Sequence, residues 1–398
     1  MQESIMFLSE NFSRHFVSLV DPRKNNHNKR HNLSDILILV ILSVICGADD
    51  WVSVEQFGKE KKDFLKKFLK LPHGIPSHDT IGDLFSRISI DEFSKCFLSW
   101  INSIIETKNG DIIPIDGKTL RRSHDKNNSK SAIHMVSAWS SKNQVVLGQY
   151  KINEKSNEIT AIPELLKMLD ITGCTVTIDA MGCQKKIASQ IKKQGGDYLL
   201  SLKENQSTFY NAVVDAFETQ IKNTIDMPEQ DEQVLLSAVD KNNIFSKQIE
   251  TTKKGHGRIE RRKCTVISAT HFPKFKLKWD GLESIIMIES TRTMNDKTSL
   301  EKRYYISSHL PNAEILEPTI RKHWLVENQL HWCLDVSFRE DDCRVRKGNA
   351  AGNFAIVRHV ALNALKNEKS SKVGIKNKRH KAGWGDEYLV KVVEAMQS

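Results

Sequence analysis

Up to about residue 105 the apolar positions follow a helical rhythm. Asn32-Leu33-Ser34-Asp35 offers capping side chains ahead of Ile36-Leu37-Ile38-Leu39-Val40-Ile41-Leu42. That run is apolar on nearly every side, which predicts a helix in the core of a small bundle. Ser77-His78-Asp79-Thr80 caps a helix starting at Ile81, and Ser89-Ile90-Asp91-Glu92 opens another. From about residue 110 the period shortens. Ile112–Ile115, Ala132–Trp139 and Gln144–Ile152 read as strands, with Ser140-Ser141-Lys142-Asn143 as the turn between the last two. A helix is expected over Thr160–Leu169, with Pro163 in its first turn. Cys174–Ile178 predicts a strand, Gln184–Lys193 a helix, Gly195-Gly196 a break and Tyr198–Leu202 a strand. The order β-β-β-α-β-α-β predicts an α/β layered fold. Residues 205 to about 310 are more polar, with a turn at Gly255-His256-Gly257-Arg258 and strands at Lys263–Ser268, Ser284–Glu289 and Arg303–Ser307. They read as an insertion ahead of a further helix carrying Glu327. No internal repeat or coiled-coil heptad stands out.

The charge balance narrows the partner. Fifty-nine Lys and Arg face 49 Asp and Glu, a net charge of +10, which favours an anionic partner, nucleic acid before membrane. At 398 residues the chain is long enough for two or three domains. Its seven cysteines are scattered without a CxxC pair, so neither a zinc cluster nor a disulfide framework follows, and a reducing cytoplasm fits best. The longest apolar run, Ile36 to Gly47, is too short to span a bilayer. Met1-Gln2-Glu3-Ser4 lacks a basic signal-peptide start. The basic stretch Arg23–His31 reads as a solvated linker or as a contact to DNA phosphates.

Three acids bring in the chemistry. Asp116 ends the run Ile112-Ile113-Pro114-Ile115, and Asp179 ends Thr175-Val176-Thr177-Ile178. In open α/β sheets, ligands sit beyond the carboxyl ends of the strands. The small neighbours Gly117 and Ala180 permit close approach of backbone or substrate. Taken singly, either residue could be an ordinary turn aspartate. For Glu327, helical geometry of about 100° per residue gathers Ile320, Trp324, Val326, Leu330 and Leu334 into an apolar arc of roughly 160°. Glu327 falls inside that arc with His323 and His331. An acid there should be paired, protonated or metal-bound, and a structural salt bridge or histidine contact is the alternative. Brought together, the three carboxylates would make an oxygen-ligand site for divalent cations. On a basic protein the natural substrate is a phosphodiester.

Other charges compete or assist. Asp335, Glu340, Asp341 and Asp342 could compete for a metal, but they cluster with arginines and rank below Glu327 as structural ion pairs or a solvated face. Lys118, Arg121, Arg122 and His124 follow Asp116 and would hold an anionic backbone, or are simply solvated. A second basic cluster, Gly255–Lys263 with Arg258, reads as a hairpin tip or a DNA contact. His323 joins the DNA-binding candidates. Trp324 reads as a core residue, with stacking on an unpaired base as the alternative.

Taken together, Ile-Asp-Gly-Lys at 115–118, Ile-Asp-Ala-Met-Gly-Cys-Gln at 178–184 and His-Trp-Leu-Val-Glu-Asn-Gln-Leu-His-Trp at 323–332 resemble the insertion-sequence DDE transposases of the ISAs type. That branch includes the H-repeat-associated proteins accompanying Rhs elements. Leu-Asp-Val-Ser-Phe-Arg-Glu-Asp at 334–341 and Lys-Ala-Gly-Trp-Gly-Asp-Glu-Tyr-Leu near the C-terminus match it too. The resemblance covers nearly the whole chain. It implies a ribonuclease-H-like catalytic domain over 110–398, a mixed sheet flanked by helices with a β-rich insertion at about 205–310. A small all-α N-terminal domain over 1–105 with a DNA-binding or assembly role would precede it. It implies a catalytic and metal-binding triad of Asp116, Asp179 and Glu327 holding two Mg²⁺ ions, with Mn²⁺ as substitute. Its expected partners are the terminal inverted repeats and target DNA, bound by a homo-oligomer, with no membrane. The setting is a bacterial cytoplasm, at the nucleoid. Related transposases carry Tyr-x2-Arg-x3-Glu-x6-Lys around the glutamate. Here Ile320, His323 and Leu334 stand at the Tyr, Arg and Lys positions, so hairpin-forming and flipped-base steps are not carried over. The expected activity is metal-dependent DNA cleavage and strand transfer. A DNA nuclease without strand transfer and a decayed DNA-binding relative are the alternatives. A carboxylate-pair glycosidase is more distant, since it needs no basic surface.

Overall fold

The computed structural model describes residues 14–24, 29–105, 109–124, 131–152, 157–225, 245–255, 258–295 and 297–396. Part of the Arg23–His31 stretch, part of the Gly255–Arg258 turn, and Met1–Ser4 lie outside these residues. The fold is mixed α/β, and the chain divides into two compact units. One comprises 1–107, 116–169 and 325–398, and the other 108–115 and 170–324.

In the second unit the sheet begins with the first half of β1 (Ile112–Thr119), which pairs in parallel with β4 (Thr175–Ile178). β4 pairs in parallel with β5 (Asp197–Leu202). The remaining strands are antiparallel: β5 with β9 (Lys297–Ser307), β9 with β8 (Ser284–Met294), β8 with β7 (Arg258–Ser268) and β7 with β6 (Phe245–Gly255). The parallel strands are largely buried, as strands covered on both faces are, and the buried threonines of β4, Thr175 and Thr177, meet the imidazoles of His309 and His323. Between them lies the amphipathic helix Lys185–Lys193, with Ile187, Ala188 and Ile191 inward. Helix Ala313–His323 lays Ala313, Leu316 and Ile320 on Leu199, Cys264, Val266, Ile286, Ile288 and Tyr305.

The insertion strands run further than the apolar pattern implies. β7 starts at Arg258 rather than Lys263, β8 continues to Met294, β9 starts at Lys297, and β6 was not legible at all. Their distal halves are polar, and the backbone ladders between β6 and β9 hold them in register without apolar alternation.

In the first unit, helices α1 (Leu33–Ile45), α2 (Trp51–Glu60), α3 (His78–Arg87) and α4 (Ile90–Ile104) come first. Ser77 and Ser89 accept from the backbone N–H groups of Thr80 and Glu92, the expected caps. Asn32 does not cap by its side chain. Its amide donates to Asp35, which also accepts from the Leu71 N–H. The second half of β1 lies beside the antiparallel pair β2 (His134–Ser140) and β3 (Val145–Lys151). Helix Glu158–Met168 begins two residues earlier than expected because Asn157 and Thr160 form a capping box, which leaves Pro163 inside the helix.

The helix Ala350–Asn367, hereafter the central helix, is buried from Ala350 to Leu365. It packs against α1, α3, α4 and β3. Asn363 bonds both the N–H and the carbonyl of Val146 in β3, and Asn353 donates to the carbonyls of Phe85 and Ile88. Buried amides of this kind fix register as well as contributing energy. Helices Ile375–Trp384 and Asp386–Glu394 complete the unit.

Candidate functional site

Asp179 sits where the sequence puts it, one residue past β4. Its Oδ1 accepts from the N–H groups of Met181 (3.1 Å) and Gly182 (3.4 Å), a turn that holds the carboxylate in one orientation. Asn205 fixes the same turn by donating to the Ala180 carbonyl at 2.6 Å.

Asp116 is not at a strand end. β1 continues to Thr119, and what stops at Ile115 is its pairing with β4. The last registered pair is Ile115↔Ile178, so Asp116 and Asp179 are each the next residue along the chain from that pair. Asp116 Oδ1 accepts from the Gly117 N–H at 2.9 Å, and Oδ2 stands 3.5 Å from His331 Nδ1. Gly117 leaves room for a side-chain pair that the local sequence does not show. A Cβ there would lie 2.1 Å from Glu158 Oε1 and 2.6 Å from His134 Nε2, two groups that bond each other at 2.6 Å.

Glu327 departs from its expected setting. Residues Val326–His331 form a π-helical turn, so the regular helical arc does not apply. Val326 and Leu330 are buried, whereas Glu327 is exposed. Ile320 and Leu334, at the positions where related transposases carry Tyr and Lys, are core residues.

The candidate DNA-binding residues divide. Arg121 and Arg122 are exposed and lie 3.2 Å and 3.5 Å from Asp341 and Asp342. His124 Nδ1 is 2.9 Å from the Arg121 carbonyl. Arg258 is exposed, 4.0 Å from Glu260. Lys118 instead turns inward, with its side chain 11% exposed, and pairs with Asp335 and, at 3.1 Å, with Glu340. Burial opposes its charge, but Glu340 and Asp335 outweigh that and hold its pKa above the ordinary lysine value. His323 is also committed, 3.0 Å from Thr177 Oγ1 on β4, and burial lowers its pKa to about 4. A neutral imidazole is a poor phosphate ligand. Trp324 is half-buried, neither wholly core nor fully presented. The Arg303 guanidinium lies 4.9 Å over its ring and His323 meets it edge-on.

For Asp335 and Glu340 the ion-pair reading holds, but sequence reasoning missed that Glu340 is buried and that its partners are Lys118 and Arg358. Glu340 is 3% exposed, with Arg358 Nη1 3.6 Å from its Oε1 and Lys118 at its Oε2. Burial works against the carboxylate, but Lys118 and Arg358 hold its pKa below the usual range. His359 is beside them, and its pKa is lowered to about 4 by burial. His331 is likewise lowered to about 4, by burial and by Lys118. The available signal was Arg358-His359 within an otherwise apolar helix, since a charge on such a helix needs a buried partner.

Among the described residues, no group of three or more His, Cys, Asp or Glu side chains stands close enough to hold a metal ion. Asp116, Asp179 and Glu327 each offer carboxylate oxygen, the donor type that suits a hard divalent cation. The seven cysteines are all free thiols. Among the described residues no helix is long and apolar enough to cross a membrane.

What the fold and these positions define is a mixed α/β protein with acids set one step beyond a parallel strand pair. Residues 107–364 match the Transposase DDE domain family, and residues 13–101 match the DDE_Tnp_1-associated family. The chain belongs to the DDE transposase family. It is 42% identical over 382 residues to "H repeat-associated putative transposase YhhI" of Escherichia coli strain K12, covering 95% of this chain and 96% of that protein. It is similarly 42% identical to "Putative transposase YncI" of Escherichia coli O157:H7, over 95% of this chain and 93% of the relative. A short relative, "Inactive transposase YbfQ" of strain K12, is 49% identical over 57 residues, 14% of this chain and 68% of that protein.

Proposed function

We propose that the protein cleaves phosphodiesters at the ends of an insertion element and transfers the freed DNA strand to a target. Asp116, Asp179 and Glu327 are its catalytic carboxylates, on a ribonuclease-H-like fold over residues 110–398 with the β-rich segment as an insertion. Residues 1–105 serve DNA binding or assembly. The observation that carries the reading is the registered parallel pair Ile115↔Ile178 with an acid next along each strand. Family membership and the exposed glutamate on a π-helical turn support it.

In this reading Asp116 and Asp179 are held by backbone N–H groups, so their carboxylates are oriented before substrate arrives. Two Mg²⁺ ions, or Mn²⁺, would supply charge neutralisation at the scissile phosphate and raise the acidity of the attacking hydroxyl. Water attacks phosphorus in line, and the bond to the 3′-oxygen breaks, leaving a 3′-hydroxyl and a 5′-phosphate. That 3′-hydroxyl attacks a target phosphodiester and displaces a second 3′-oxygen. No covalent protein–DNA intermediate is formed. Arg121, Arg122, His124 and Arg258 grip the backbone of the DNA. Lys118 and His323 act through the groups they position. The protein works as a homo-oligomer on chromosomal DNA in the bacterial cytoplasm.

The test uses DNA bearing the element's inverted repeats, with Mg²⁺. Folded Asp179→Asn protein should neither cleave nor join, and cleavage at the parental rate would end the assignment. Because one relative is named as inactive, a parental protein that binds end DNA without cutting it would point to a decayed DNA-binding relative. Cutting without joining would point to a nuclease.

A further inference from the structure

We propose that the groove formed by α2, α3 and the segment Arg339–Lys347 is a second contact site for a DNA sugar–phosphate backbone, with Arg344 as its principal ligand. The inference rests on the transposase reading and names where, besides the carboxylates and the Arg121–Arg122 pair, the nucleic acid is held. The groove encloses about 660 Å³ within the first unit. That falls in the range of small-ligand clefts, about 300–1,000 Å³.

Charge bookkeeping identifies the ligand's sign. Four of the five acids along the groove are already engaged. Asp49 pairs with Arg379 at 2.9 Å. Asp50 caps α2 through the Ser53 N–H at 2.7 Å. Asp83 pairs with Lys347 and Arg87, at 2.9 Å and 2.8 Å. Asp342 pairs with Arg339 and Arg122, both at 3.5 Å. The fifth, Asp79, points to solvent, 3.6 Å from His78 Nε2. Arg344 lines the same groove, is exposed, and has no ion pair among the described residues. Arg344 is a cation without an ion pair among the described residues, beside three acids that already have theirs, and it can take an anion.

The segment is also held firmly enough to serve as a site. Cys343 Sγ is 3.9 Å from the Asp49 carbonyl. Arg346 Nε donates to the Arg122 carbonyl at 2.9 Å. Gly348 adopts φ +52°, where a Cβ would lie 2.3 Å from the Ser86 carbonyl oxygen, and the Asn349 N–H donates to that same oxygen at 2.9 Å. Arg344 therefore projects from a backbone anchored on both sides, which lowers the entropy lost on binding. Trp51 adds an apolar wall. Its ring is backed by Phe85 and Phe354, at 5.0 Å and 4.6 Å between centroids. An arginine in a groove with an aromatic wall suits a sugar–phosphate chain, whose phosphates want the guanidinium and whose deoxyribose rings can lie against the indole.

The experiment measures anisotropy of a fluorescein-labelled random-sequence duplex bound by the full-length protein, over a salt series. Arg344→Gln and Arg344→Glu are compared with Lys274→Gln, an exposed lysine of the second unit, and with the Arg121→Ala/Arg122→Ala double variant. Melting temperatures should match the parent for both Arg344 variants, since the side chain is exposed and unpaired. Arg344→Gln should weaken binding several-fold and lower the salt slope by about 0.9, the value for one lost phosphate contact. Arg344→Glu should weaken it further, while Lys274→Gln changes neither quantity. Unchanged affinity and slope for Arg344→Gln, with the Arg121/Arg122 variant impaired, would overturn the groove and leave the transposase reading standing. An equal loss for Lys274→Gln would also overturn it, by showing a general field effect. A parental protein that binds no DNA would overturn both.

Discussion

Asp179 and Glu327 show two ways of placing an acid. Asp179 is set by backbone. β4 is fixed between β1 and β5 by parallel ladders, and the following turn closes on the carboxylate through two N–H groups. Glu327 is exposed, and the segment that follows it is tied by side chains brought from elsewhere in the chain. Its π-helical turn is followed by helix Trp332–Phe338, and Asp335 and Glu340, on either side of that helix's end, pair with Lys118 of β1. His331, four residues after Glu327, stands against Asp116. The first arrangement depends on local pattern, and the second on an ion cluster assembled from distant segments. They should therefore fail differently.

The largest stability effect should come from the cluster. Glu340→Gln leaves Lys118 and Arg358 without their shared anion, and breaking a buried pair in this way costs about 3–5 kcal/mol. Denaturant unfolding monitored by tryptophan fluorescence checks it. A loss within about 0.5 kcal/mol, the size of an ordinary surface change, would show that the cluster does not hold this segment.

Acid should act next. His323 and His359 are neutral in the fold, with pKa values lowered to about 4, whereas an unfolded histidine titrates near 6.5. Between those values the unfolded state binds more protons, so their contribution is complete above about pH 6.5 and is lost as pH falls towards about 4. Thermal midpoints measured across that window should fall with pH, and His323→Gln should make the fall shallower. An identical pH profile for the variant would contradict the burial of His323 beside β4.

Trp324 sharpens the comparison at the junction in sequence between the two arrangements. A half-buried ring under Arg303 should cost about 1–2 kcal/mol on truncation to Ala, less than a core tryptophan. A loss of about 3–5 kcal/mol would restore the core reading. The smallest stability effect belongs to Arg121→Ala/Arg122→Ala. Those exposed pairs contribute about 0–1 kcal/mol each, while the salt slope of DNA binding should fall by about one unit per lost phosphate contact. An unchanged slope would remove both residues from the DNA interface.

Legibility in the sequence followed the same division. The runs Ile112–Ile115 and Thr175–Ile178 are short, apolar and ended by an acid, so both strands and Asp179 could be placed from local pattern. Asp116 was found as a residue but not as a position, because the strand continues through Gly117 and Lys118 where the apolar signal has ended. Glu327 was found by an arc that assumed a regular helix, and the π-helical turn moved it into solvent. Lys118 was read as a DNA contact because its partners Asp335 and Glu340 lie more than two hundred positions away. The distal halves of β6 to β9 stayed hidden because backbone ladders, not apolar alternation, hold them.

The most direct test sets Glu327→Gln beside Glu340→Gln in one preparation series, with melting temperature and Mg²⁺-dependent cleavage of inverted-repeat DNA measured on both. Glu327 is exposed, so its variant should melt with the parent and yet cut no DNA. Glu340→Gln should melt well below it. Parental cleavage by a folded Glu327→Gln protein would contradict the assignment of Glu327 as a catalytic carboxylate.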